Sequence, residues 1–158
     1  MRRLIFWLVT IGVLLAMNLL IVQKESVLRS GTRMYLKLAP RDPRSLMQGD
    51  YMVLNYEMTD RFRRDGPRED GHLVVTLDAD GVAQFVRVHH RAAPLGAGER
   101  LLRYRVRDQV RLGAESFFFQ EGHADRYAQA RYGELRVAPS GESVLVGLRD
   151  GTFRALGR

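Results

Sequence analysis

The chain has 158 residues, 25 lysines and arginines against 18 acidic residues, a formal charge of +7, and no cysteine. One folded domain of ordinary size is the expectation at that length, and the lack of cysteine excludes disulfide frameworks, zinc knuckles and thiol nucleophiles. Nearly all the basic charge is arginine; setting Arg2 and Arg3 aside leaves 23 basic residues against 18 acidic ones, a mild surplus that argues against a nucleic-acid partner.

Leu4 to Val22 (LIFWLVTIGVLLAMNLLIV) runs for 19 residues without a charge. As a helix it rises roughly 28 Å, close to the hydrocarbon thickness of a bilayer. Arg2 and Arg3 flank its short side, so the positive-inside rule keeps the N-terminus cytoplasmic and sends the rest outward, with Lys24 and Arg29 opposing weakly. The membrane lipid bilayer is thus the first partner expected. A cleaved signal peptide has a shorter apolar stretch and a small-x-small cleavage site. Gln23 to Arg29 (QKESVLR) offers no convincing one, which favours a retained anchor, with Ser26 to Gly31 as the weak alternative region. The division expected is 1–24 for the anchor and its cytoplasmic start, 25–31 for a polar stalk, and 32–158 for an extracytoplasmic β-rich domain.

Thr32 to Leu38 alternates Met34, Leu36 and Leu38 with Arg33, Tyr35 and Lys37, the period of a half-buried strand. Tyr51 to Thr59 alternates again, with Met52, Leu54, Tyr56 and Met58 on one side. Asp60 to Gly71 is charged and broken by Gly66-Pro67, and reads as a mobile exposed loop. His72 to Leu77, the turn Asp78-Ala79-Asp80-Gly81 and Val82 to Val88 predict a β-hairpin. Further on, Leu102, Tyr104 and Val106 alternate with Arg103, Arg105 and Arg107, a strand with one basic face. Phe117-Phe118-Phe119 predicts a buried strand, and His123 to Arg131, followed by Gly133, the one helix outside the anchor. Glu134 to Val137 and Val144 to Leu148, joined through Pro139-Ser140-Gly141, predict a closing hairpin. Strands in succession without intervening helices predict a mainly β fold, an antiparallel sandwich or small barrel with one short helix behind a single transmembrane helix.

Gly49 to Tyr56 reads GDYMVLNY. This resembles the signature of the GDYXXLXY domain family, with all five fixed positions present. The resemblance extends to the lead-in Asp42-Pro43-Arg44 and to a second motif at Glu115-Ser116-Phe117-Phe118 and Glu121-Gly122. Ser45 stands where the family commonly has an acidic residue, Leu112 where it has tyrosine and Gln120 where it has proline. The resemblance implies a membrane-anchored protein and, because members are often encoded beside multi-pass membrane proteins, a multi-pass membrane partner. It implies no chemistry.

The motif residues read first as architecture. Gly49 supplies a permissive backbone entering the strand, and Leu54 and Tyr56 belong to its core face. Asp50 suits a bond to backbone N–H groups in the preceding turn. Tyr51 points to the opposite face and is the best candidate in the motif for contact beyond the core, against an equal case for packing. Glu115 shares the parity of Phe117 and Phe119, so a half-buried carboxylate paired with an arginine is expected. Arg103, Arg105 and Arg107 form a stripe suited to an acidic partner or anionic lipid. His89 and His90 are adjacent and would face opposite sides of a strand, so no metal site and no cofactor are predicted. The function expected is a non-enzymatic accessory or binding subunit of a membrane protein. The rival is an envelope hydrolase, because Pro43 to Leu54 faintly resembles the Pro-x-Leu-x-x-Gly-Asp stretch of type I signal peptidases. A Ser-Lys dyad would need a lysine beside a serine, and Lys37 is the only lysine in the domain.

Overall fold

A computed structural model describes residues 2–39, 47–48, 51–90, 93–120 and 122–157. Gly49 and Asp50 of the signature, its lead-in Asp42-Pro43-Arg44, Ser45 and Glu121 lie outside the described residues.

One helix, α1, occupies Arg2–Ser30 and is long and apolar enough to cross a membrane. Its large apolar side chains from Leu4 to Val22 all stand more than half exposed. A helix of that length and exposed apolar surface suits a bilayer. The two polar side chains inside the stretch are turned back on the helix, Thr10 Oγ1 donating to the Phe6 carbonyl at 2.9 Å and Asn18 Nδ2 to that of Leu14 at 2.8 Å. Residues 25–30, read as stalk, continue the helix.

The domain is built from β1 (Thr32–Lys37), β2 (Met47–Gln48), β3 (Tyr51–Val53), β4 (Gly71–Leu77), β5 (Ala83–Val88), β6 (Arg100–Val106), β7 (Val110–Arg111), β8 (Ser116–Phe118), β9 (Tyr132–Val137) and β10 (Ser143–Arg149). They form three antiparallel sheets, β1-β9-β10, β2-β3-β8 and β5-β4-β6-β7, curled as a half-barrel. Both hairpins read from the sequence are present as β4–β5 and β9–β10. In the β4–β5 turn Gly81 has φ +82°, and the Asp78 carboxylate accepts the Asp80 and Val82 amides at 3.0 and 2.9 Å. The two sheets meet where the Tyr35 amide donates to Gly81 O at 3.0 Å. Met34, Leu36, Met52, Leu54, Tyr56, Leu73, Val75, Leu102, Leu135 and Leu148 fill one core between the sheets. Burial of their side chains is the main stabilising term.

Three expectations need correction. The second strand stops at Val53 instead of Thr59: Tyr56 makes only an isolated bridge to Leu38, and the Thr59 amide and hydroxyl both donate to Tyr56 O, closing a helical turn over Glu57–Asp60. The charged loop that follows is mostly exposed, as expected. It holds a second turn, Phe62–Asp65, whose Phe62 ring packs edge-on against Phe85 at 5.3 Å, and Asp70 accepts the Val106 amide at 2.8 Å. With the turn at Ala124–Tyr127, the described residues therefore contain three short helical turns outside α1, where the sequence predicts one. Finally, the triple-phenylalanine strand is half out of the core. β8 is an edge strand paired only with β3, so Phe117 and Phe119 pack on Tyr127 at 5.0 and 5.3 Å while Phe118 stands 75% exposed.

Candidate functional site

The signature residues divide by face. Leu54 and Tyr56 are buried, and the Tyr56 hydroxyl donates to Ala114 O at 2.5 Å. Burial, with the nearby Glu115 charge adding to it, pushes this phenol far above its ordinary range, so it remains a neutral donor. The strand hydrogen bonding of β3 is extended by the Leu54 amide, which donates to Glu115 O at 2.7 Å. Among the described residues no arginine pairs with Glu115, where an arginine partner was expected. Its carboxylate accepts the Leu112 amide and, at 3.0 Å, the Gly113 amide, in a turn where Gly113 has φ +80°. A carboxylate so occupied by two backbone donors fixes a loop. Across the core the Tyr56 ring lies against Gly133 of β9, where an added Cβ would approach Cε1 to 3.2 Å. The Leu-x-Tyr half of the signature thus joins β3, the 112–115 turn and β9.

Tyr51 sits on the outer face of β3. It faces Phe118 in register, and the two rings lie 5.7 Å apart at 36°. Phe118 has the greatest exposure of any large apolar side chain described, including those of α1. An aromatic pair on an edge strand is a ready contact surface for another chain.

Arg103, Arg105 and Arg107 do not form one stripe. Arg103 is half-buried and ion-paired with Glu142 at 3.0 Å, Arg105 is exposed on β6, and Arg107 lies exposed beyond the strand end. Glu142, just before β10, also accepts Gln23 Nε2 at 3.4 Å and lies 3.6 Å from Lys24 Nζ of α1. One carboxylate therefore gathers the end of the apolar helix and β6. Arg103, Arg105, Lys24 and Glu142 line a pocket of about 280 Å³ together with Arg111, Leu112, Gly113 and Ser143. No local motif pointed to Arg111 or Glu142, because the pocket is assembled from segments 24, 103–105, 111–113 and 142–143.

Lys37, the residue on which hydrolase chemistry would turn, is exposed and lies 2.9 Å from Glu57. Its hydrogen bond to Glu57 raises its pKa above the ordinary lysine value, which favours the charged form and not the neutral amine a general base requires. The cleft it borders is lined by Glu57, Met58, Arg61, Val82, Ala83, Gln84 and Phe85, without a hydroxyl nucleophile among them.

An apolar N-terminal helix of spanning length followed by a half-barrel domain is an architecture that fits a membrane-anchored protein. The chain belongs to the GDYXXLXY family, whose description, "GDYXXLXY protein", matches residues 13–148. No curated protein and no solved structure matches the chain.

Proposed function

We propose that this protein is a non-enzymatic accessory or binding subunit of a multi-pass membrane protein, held by α1 with its N-terminus in the cytoplasm and its domain on the periplasmic or extracytoplasmic side. The observation that carries this reading is the exposed Phe118 ring, supported from the signature's Tyr51 on the edge of the β2-β3-β8 sheet. Aromatic side chains placed this way supply large contact area at small entropic cost and dominate interface energetics. The family signature then has two duties: Leu54 and Tyr56 hold the sheet in place, and Tyr51 presents the contact. Orientation rests on Arg2 and Arg3 at the short end of the helix.

The test places a photocrosslinking amino acid at Phe118 in the full-length chain and identifies the product in native membranes by mass spectrometry. One stoichiometric multi-pass membrane protein is expected, with its yield cut several-fold by Tyr51→Ala. Recovery of an uncrosslinked solitary chain, or a product indifferent to Tyr51→Ala, overturns the reading.

A further inference from the structure

We infer that the pocket between α1 and β6–β7 is a binding site for the phosphate of an anionic membrane-lipid headgroup. Four cationic side chains line it, Lys24, Arg103, Arg105 and Arg111, against the single carboxylate of Glu142. Glu142 is already shared between Lys24 and Arg103, so it leaves Arg105 and Arg111 without compensation from within the pocket. Those two stand directly opposite each other in the antiparallel β6–β7 register, where like charges repel. Arg111 reaches only the exposed Asp108, at 3.8 Å, and its buried Nε has no hydrogen-bond partner among the described residues. A buried guanidinium N–H facing no acceptor is costly unless a ligand supplies one. A phosphate seated between Arg105 and Arg111 would accept from their terminal guanidinium N–H groups and relieve the repulsion, and a small turn of the Arg111 side chain would bring its Nε to the same acceptor, in the bidentate manner to which guanidinium is suited.

The location selects a lipid as the source of the phosphate. Lys24 lies two residues beyond Val22, the last residue of the uncharged stretch, which is about 3 Å along a helix. The pocket therefore opens at the depth where headgroup phosphates lie. α1 is also fixed to the domain beside it: Arg136 of β9 donates to Gly31 O at 3.2 Å, Gln23 Nε2 donates to Glu142 at 3.4 Å, and Val27 is buried. The pocket cannot swing away from the bilayer without breaking that joint. The site rests on the proposed reading of α1 as a membrane anchor but not on any chain that covers Phe118, so failure of the Phe118 crosslink leaves the lipid site standing and loss of the lipid preference leaves the crosslink standing.

The experiment uses the full-length chain in micelles doped with equal amounts of phosphatidylglycerol and phosphatidylcholine, and counts retained lipids by native mass spectrometry. Phosphatidylglycerol should be retained preferentially by about tenfold, the scale set by one or two cations near a membrane surface. Arg105→Gln with Arg111→Gln should abolish the preference without lowering Tm, because the substitutions remove a repulsive pair. Arg107→Gln, outside the pocket, should keep it. Equal retention of the two lipids, or a preference undiminished in the double variant, overturns the proposal. Displacement of the lipid by modest inorganic phosphate would overturn the lipid source and leave a site for free anions.

Discussion

Tyr56 shows at the level of one side chain how a signature residue can serve architecture and not chemistry. Its ring is 1% exposed, its hydroxyl serves the Ala114 carbonyl, and its backbone oxygen takes two bonds from Thr59. Tyr56→Phe keeps the ring and strands that carbonyl, and should cost about 1–2 kcal/mol, read as a fall of roughly 3–8 °C in the thermal melt of the full-length chain. An unchanged melt would mean that water replaces the lost donor. Period-two alternation placed Tyr56 and Leu54 inside correctly, because facing is fixed by the pleat alone. It also placed Phe118 opposite Phe117 and Phe119, yet the triple-aromatic run outweighed that signal in the prediction of a buried strand. The partner of Glu115 was not legible at all, since a carboxylate bonded to amides two and three residues behind it leaves no mark in residue type.

Among the elements, the joint between α1 and β1 carries the most consequence. A single residue, Gly31, separates helix from strand. A Cβ there would collide with the Val27 carbonyl oxygen and approach the Val137 amide nitrogen to 3.0 Å. Gly31→Ala should therefore loosen the joint at a cost of about 1–3 kcal/mol, and limited proteolysis should cut after Lys24 or Arg29 faster than in the native chain, while the β domain stays intact. Equal cleavage rates would show that the helix end is held by other contacts. Residues 25–31 read as a polar stalk, and Glu25 to Ser30 continue the helix; the charged side chains of a helix end that packs by one buried valine look the same in sequence as those of a stalk. The hairpins, by contrast, were legible because their turns are local chemistry: Asp78 and Gly81 close theirs within five residues. β3 ended early for a non-local reason, the capture of Tyr56 by Leu38, and no window of sequence contains both.

For the molecule as a whole, the half-barrel was legible from successive alternating segments, whereas the pockets beside Lys24 and Lys37 were not, because their lining residues lie dozens of positions apart. The absence of native cysteine makes the orientation directly measurable. Val86→Cys, on β5 at a residue 43% exposed, gives one reporter thiol in the domain. A membrane-impermeant maleimide should label it in intact cells from which only the outer barrier has been removed; labelling only after the cytoplasmic membrane is permeabilised would reverse the proposed topology. The fixed joint has a mechanical consequence too. The uncharged stretch of α1, 19 residues or roughly 28 Å, is close to the hydrocarbon thickness, and a helix accommodates a thinner bilayer by tilting. With no slack at Gly31, a change of tilt rotates the β domain as a rigid body and sweeps Phe118 through an arc above the membrane. Bilayer thickness would thereby set the direction in which the aromatic edge faces its neighbours, and the chain would act as a lever with its fulcrum at the headgroups.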